Sequence, residues 1–230
     1  MYTEITKGHY QFTVLKGRHC GFINYCYLMI DLYSREAVII DPAWELDAIV
    51  HVITQADAKL TKILLTHSHS DHVHLVDALL RRYNPQVYMS RQEIDYYGFT
   101  CRNLNPVHDG EMIPFTQSSI TCILTPGHTA GGVCYLWNGI LFSGDTVFIE
   151  GCGMCSGPGG CPNGMYESIQ RLKKLLAPEV RIYPGHCYGR EVGCTFGYVM
   201  ANNLYFQIEN KEMFISFRMR SNQKNLFDFQ

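Results

Sequence analysis

Three imidazoles and a carboxylate crowd into Thr66-His67-Ser68-His69-Ser70-Asp71-His72, directly after the apolar run Lys62–Leu65. No other stretch restricts the fold as much. Lys62–Leu65 reads as a short buried strand, so the histidines begin where that strand leaves the core. In an extended segment, side chains at i and i+2 share a face, so His67 and His69 suit one ion. Asp71 and His72 follow where the chain turns into a helix. They point elsewhere, toward a second ion a few ångströms away. Imidazole nitrogen and carboxylate oxygen are the donors that borderline metals such as zinc prefer. This segment alone suggests a two-metal hydrolytic site.

Three further segments suit the same chemistry: Thr125-Pro-Gly-His128-Thr-Ala-Gly131, Ser143-Gly-Asp145-Thr146 and Tyr183-Pro-Gly-His186. Each sets a ligand-type residue at the end of an expected strand, in a tight glycine-containing turn. Small neighbours let the backbone approach closely. Five histidines and two aspartates (His67, His69, Asp71, His72, His128, Asp145 and His186) then share two ions and leave room for a water or hydroxide. Seven unrelated polar residues would each need a separate buried partner. A metal site kept for stability without catalysis is the subtler alternative.

The surrounding pattern is α/β. Tyr10–Leu15, Tyr25–Asp31 and Ala37–Asp41 are rich in aromatic and β-branched residues and read as strands. Pro42 breaks the last of them, and Leu46, Ile49, Val50 and Ile53 recur at helical spacing. Leu75, Leu79, Leu80 and Tyr83 make a second helical stripe, stopped by Asn84-Pro85, and Gln86–Ser90 is another strand. The second half repeats the plan. Ser119–Thr125, Gly132–Trp137, Ile140–Ser143 and Arg181–Tyr183 read as strands, and residues 151–164 as a Gly/Cys/Pro loop. Met165, Ile169, Leu172 and Leu176 mark a helix, and a last helix is expected over about Thr195–Glu209. Such a series, run twice without a linker, predicts one domain over residues 1–230, with two sheets face to face and helices outside.

Taken in order, HxHxDH, PGHTxG, SGDT and YPGH resemble the metallo-β-lactamase superfamily, over roughly residues 10–210. The resemblance implies an αββα sandwich of two mixed β-sheets with helices on both outer faces and the metals at one sheet edge. It implies that His67, His69 and His128 hold metal one, that Asp71, His72 and His186 hold metal two, and that Asp145 bridges them. Asp41 matches the family's early aspartate, with the expected role of orienting a ligand histidine. Glu150-Gly-Cys-Gly153, Met165-Tyr-Glu-Ser168 and Tyr183-Pro-Gly-His186 are similar to the glyoxalase II branch of thioester hydrolases. Met154 stands where that branch has an arginine, and only about 44 residues follow His186. With Lys16-Gly-Arg-His-Cys-Gly-Phe-Ile-Asn-Tyr25 and Phe214-Ile-Ser-Phe-Arg-Met-Arg220 added, the whole pattern resembles the PksB-type zinc hydrolases of trans-acyltransferase polyketide synthase clusters. That implies an acyl hydrolase with two Zn2+ ions, acting on thioesters carried by acyl carrier protein. A metal-bridging hydroxide would attack the carbonyl, Asp71 would accept a hydrogen bond from it, and the thiolate would leave without a dedicated acid. A glyoxalase II-like hydrolase of small thioesters such as hydroxyacylglutathione, an iron-dependent sulfur dioxygenase and a non-catalytic scaffold remain as alternatives.

Composition removes other classes. A net charge of −2 over 230 residues gives no basic field for nucleic acid. No apolar run approaches the roughly 20 residues of a membrane span, and Met1–Tyr10 lacks an apolar signal core. A cytoplasmic protein with reduced thiols is expected from its ten scattered cysteines. Cys152, Cys155 and Cys161 have metal-like spacing but no obvious fourth ligand, with Cys187 or Cys194 as the options, and a loop of free thiols is the plainer reading. His9, His19, His51, His74 and His108 have no motif partner. His19 lies in an expected Arg18–Asn24 loop that would overhang the site. Tyr25, Tyr188 and Tyr198 are candidates to line a pocket. Arg218 and Arg220 suit a phosphopantetheine phosphate, although a solvated basic tail is the simpler expectation.

Overall fold

The computed structural model describes residues 2–19 and 21–221; Met1, Cys20 (within the Lys16–Tyr25 segment) and residues 222–230 lie outside it. Seven strands form the first sheet: β1 (Tyr2–Lys7), β2 (Tyr10–His19), β3 (Phe22–Asp31), β4 (Glu36–Ile40), β5 (Lys59–Leu64), β6 (Gln86–Ser90) and β7 (Leu104–Val107). They lie in that order, antiparallel from β1 to β4 and parallel from β4 to β7. The second sheet runs β12 (Arg181–Pro184), β11 (Ile140–Gly144), β10 (Val133–Trp137), β9 (Ser118–Leu124) and β8 (Met112–Phe115), with only the β11–β12 pair parallel.

Alternation along β3 shows why two layers form. Tyr25, Tyr27 and Met29 pack with Tyr135, Phe142 and Tyr183 of the second sheet, while Cys26, Leu28 and Ile30 pack with Ile49, Val52 and Leu79 of the outer helices. A strand buried on both faces reads as a continuous apolar run. Helices α1 (Leu46–Gln55), α2 (Ser70–Val73), α3 (Val76–Tyr83) and α4 (Arg91–Tyr97) accompany the first sheet. Ile49, Val52 and Ile53 are the buried face of α1, each worth about 1.5–3 kcal/mol of burial. Val52 takes the place expected for Val50. The left-handed Asn84, before Pro85, ends α3. Across the second sheet, α5 (Pro162–Leu175), α6 (Phe196–Asn202), α7 (Leu204–Gln207) and α8 (Lys211–Arg218) cover a third cluster around Met165, Ile169, Leu172, Phe196 and Phe214. The result is the expected αββα layering of two mixed sheets.

Three local expectations change. Arg18–His19 and Phe22–Asn24 are the paired ends of β2 and β3 rather than parts of a loop. The single helix expected over 195–209 is interrupted by extended Asn203. Its buried side chain donates to the carbonyls of Phe148 and Gly151 and caps α7 by accepting the Tyr205 N–H, so the break is a tether to the 148–151 loop. Helices α4 and α8 and strands β1, β7 and β8 appear where the sequence pattern assigns no element. Among the described residues no helix is long and apolar enough to cross a membrane.

Candidate metal centre

The C-terminal ends of β4, β5, β9, β11 and β12 meet at one edge of the sandwich. Backbone bonds seam the two sheets there: Val133 N–H to Thr66 O at 2.9 Å and Tyr25 N–H to Gly185 O at 2.8 Å. His67 and His69 follow β5, Asp71 and His72 sit in α2, and His128, Asp145 and His186 follow β9, β11 and β12. The structure brings all seven together. Nε2 of His67 and Nε2 of His128 lie 3.1 and 3.0 Å from Nδ1 of His69. Asp71 Oδ2 lies 3.2 Å from His186 Nε2 and 3.6 Å from His72 Nε2. Asp145 stands between the two groups, 3.5 Å from each of His72, His128 and His186.

Outer hydrogen bonds fix the imidazoles. Thr66 Oγ1 gives its one proton to Asp41 Oδ2 at 2.6 Å, so its contact with His67 Nδ1 at 3.0 Å must be accepted from the ring N–H. His72 Nδ1–H donates to Asp41 Oδ2 at 2.9 Å, His128 Nδ1–H to Met154 O at 2.7 Å and His186 Nδ1–H to Ile23 O at 2.6 Å. In neutral rings the opposite nitrogens are therefore lone pairs aimed inward, the arrangement a metal uses. Asp41 can also be grouped with His67 and His72 as a third donor set. Its oxygens, however, already accept Thr66 N–H, Thr66 O–H and His72 N–H, so it orients the other two.

Electrostatics differ between the two halves. Burial, then the imidazoles of His72 and His128, hold His67 well below its ordinary pKa, and burial with His128 lowers His69. Burial also pushes His72 down, but Asp145, Asp71 and Asp41 outweigh it and lift it to about 10. Burial would raise Asp71; His72, with hydrogen bonds from His186 and Asn24, overrides this and holds the carboxyl well below its usual range. His186 is raised because Asp145 and Asp71 outweigh its burial. His67 and His69 thus offer neutral nitrogen donors, and the Asp71–His72–His186 half draws cations.

The donor set fits a metal pair. His72 Nε2 and Asp145 Oδ1 are buried and have no hydrogen-bond partner among the described residues, a costly state that an ion at their junction relieves. Gly185 keeps the space open: a Cβ there would meet His72 Cε1 at 2.4 Å and Asp145 Oδ1 at 2.7 Å. His69, Asp71, His128, Asp145 and His186 floor a cavity of about 310 Å³ with Phe22, Phe148, Met154, Tyr188, Leu204 and Phe217 in its walls.

Asn24 is a residue the motifs did not reveal. Buried on β3, it donates from Nδ2 to both Asp71 O and Asp71 Oδ2 at 2.9 Å, and accepts from Trp44 Nε1 at 2.8 Å. An asparagine inside an otherwise apolar strand was the available signal. Several pocket candidates fall elsewhere. His19 is exposed and stacks 4.5 Å from Trp44, outside the cavity lining. Tyr25 is core, Tyr188 lines the cavity, and Tyr198 reaches it only by donating to Glu150 at 2.8 Å. Arg218 is not a solvated tail: 4% exposed, it lines the cavity and donates to Tyr205 OH at 2.6 Å, with exposed Arg220 3.3 Å from the same oxygen. Cys152 and Cys155 are buried, with burial pushing Cys155 up to about 12, whereas exposed Cys161 caps α5 through Gly164 N–H. No cysteine joins a metal-ligand group among the described residues.

Residues 21–186 match the model of the metallo-beta-lactamase superfamily. The chain belongs to this superfamily. Within it, the chain is 48% identical over 221 residues to the "probable polyketide biosynthesis zinc-dependent hydrolase PksB" of Bacillus subtilis, covering 96% of this chain and 98% of that protein. A human hydroxyacylglutathione hydrolase-like protein is 34% identical over 173 residues, covering 71% of this chain and 56% of that protein. Among superfamily structures, ETHE1 from Myxococcus xanthus superposes with a TM-score of 0.81 at 28% identity, covering 94% of each chain.

Proposed function

We propose that this protein is a dinuclear zinc hydrolase that cleaves acyl thioesters held on an acyl carrier protein during polyketide biosynthesis. In this reading His67, His69 and His128 hold one ion, Asp71, His72 and His186 the other, and Asp145 both. The observation that carries it is the floor of the cavity. Two donor triads joined by one carboxylate open onto apolar walls, with the outer nitrogens of four imidazoles already committed. When bound, such ions supply Lewis acidity and a water of lowered pKa. Asp71, which lines the cavity and accepts a hydrogen bond from Asn24, would orient such a water as a hydrogen-bond acceptor. Phe148, Met154 and Phe217 exclude bulk water from the carbonyl. A thiolate leaves readily, so the absence of a proton donor in the motifs fits a thioester better than an amide. The likeness to the zinc-dependent polyketide hydrolase, over nearly the full length of both chains, supports the carrier-bound substrate.

The test is acid release from a panel of acyl groups on acyl carrier protein, with acyl-glutathione alongside and zinc counted on the same sample. Carrier-dependent turnover with two zinc ions per chain is expected. Turnover of acyl-glutathione alone would move the protein to the glyoxalase II chemistry, and two zinc ions without any turnover would leave a scaffold.

A further inference from the structure

Ser90-Arg-Gln-Glu93 has the spacing of a capping box at the start of α4. Half of it forms, since Ser90 Oγ accepts the Glu93 N–H at 3.1 Å. The glutamate side chain does something else. Fully buried, Glu93 accepts Ser68 N–H at 2.8 Å and Ser68 O–H at 2.7 Å on Oε1, and Gly131 N–H at 2.9 Å on Oε2. Ser68 stands between His67 and His69, and Gly131 closes the turn that carries His128. One carboxylate thus ties together the two segments, one from each sheet, that supply the three imidazoles of the first triad.

The rest of α4 follows the same design. Ser90 Oγ donates to Gly131 O, and Tyr97 OH lies 3.3 Å from the Ala130 N–H. Gly131 sits so close to the helix that a Cβ would lie 2.0 Å from Glu93 N. Among the described residues no cation pairs with Glu93. A buried carboxylate without a cation is a poor stabiliser compared with a well-packed apolar residue. What it supplies is direction: two rigid acceptors at a fixed spacing.

We propose that Glu93 is a positioning residue that sets the separation of the His67–His69 segment from the His128 turn, and so the affinity of the first metal site. The proposal rests on the two-zinc reading. Glu93→Gln keeps the shape but has one acceptor oxygen, so its amide N–H₂ must face either Ser68 or the Gly131 N–H, and one tie breaks. The variant and the wild type are loaded with zinc and titrated against a chromophoric chelator. Cadmium-113 resonances of the same proteins tell the nitrogen-rich site from the oxygen-rich one. One ion is expected to bind about 10- to 100-fold more weakly in Glu93→Gln, with only the nitrogen-rich resonance shifted or broadened. Ser68→Ala, at a partly exposed position, removes a single bond and is expected to weaken the same ion severalfold, which keeps the test decisive if Glu93→Gln fails to fold. Wild-type affinity in both variants, or equal weakening of both ions, overturns the clamp alone. A wild-type protein that releases fewer than two ions overturns the two-zinc reading and the clamp with it.

Discussion

Thr66→Val keeps the side-chain shape and deletes one oxygen. That oxygen donates to Asp41 at 2.6 Å and accepts from His67 Nδ1 at 3.0 Å, in a site 2% exposed. Loss of the charge-assisted bond costs about 1.5–3 kcal/mol, and the stranded His67 N–H about 1–3 kcal/mol more. The two effects share one cavity and do not add fully, so the expected loss is about 2.5–4 kcal/mol, the low half of that sum. At about 2–4 °C per kcal/mol for a chain of this size, the metal-stripped variant should melt about 5–16 °C below wild type. Zinc affinity carries a separate signal. With Nδ1 unheld, a proton on His67 Nε2 competes with the ion, and affinity should fall about 10- to 100-fold. Thermal unfolding in excess chelator reads the first effect and chelator competition the second. Thr66→Ser, which restores the hydroxyl, should recover most of the affinity. Unchanged melting and unchanged zinc binding in Thr66→Val would refute the hydrogen-bond chain as the source of His67 orientation.

His69→Ala and Asp145→Asn should each abolish thioester hydrolysis while circular dichroism stays native, because both lie on the cavity floor and not in the packed clusters; full activity in either ends the metal reading. Zinc binding should release protons at neutral pH, since His72, lifted to about 10, carries one that an ion must displace, whereas His67 and His69, held low, carry none. Affinity at the Asp71–His72–His186 site should therefore fall as pH falls, by about tenfold per unit for each displaced proton. Calorimetry in buffers of different ionisation enthalpy measures this, and no proton release contradicts it. Asn203→Ala should cost about 2–3 kcal/mol through two lost buried carbonyl contacts and a lost cap. It should also raise KM more than it lowers kcat, because Leu204 and Tyr205 line the cavity; a change in kcat alone would argue against a wall role for this segment.

The layered fold was legible where periodicity is strong. The stripes Ile49–Ile53, Leu75–Leu80 and Met165–Leu172 became the buried faces of α1, α3 and α5, because a helix that must cover a sheet has only one way to bury that spacing. The misses lie where polar side chains bond to distant backbone. Asn203 breaks a helix-like segment because its amide is spent on Phe148 and Gly151, some fifty residues earlier in sequence, and no local window contains those partners. Helix α4 is short and polar, and its burial comes from a glutamate, which hydrophobic patterning reads as surface.

The metal-site motifs were legible for a related reason. His128, Asp145 and His186 each follow a strand end, so their neighbours must be small, and the resulting Pro-Gly-His and Ser-Gly-Asp turns announce themselves in any order of reading. The groups that aim those ligands carry no such mark. Thr66, Asn24 and Ser68 are ordinary polar residues in sequence, and only their bonds to His67, Asp71 and Glu93 show what they do. Arg218 makes the same point from the other side. Near the chain end it reads as a solvated cation, yet α8 folds it back against Tyr205 and into the cavity wall. The type and spacing of candidate ligands are thus local properties that a motif can carry. Ligand orientation is a tertiary one, with Asn24 of β3 bonded to Asp71 in the second triad and Glu93 of α4 tying the segments of the first. Substitutions on β3 and α4 should therefore act on different ions, and a variant combining Asn24→Ala with Glu93→Gln should weaken each site only by its own single effect, so that the overall two-ion affinity falls by the product, because the two clamps share no partner.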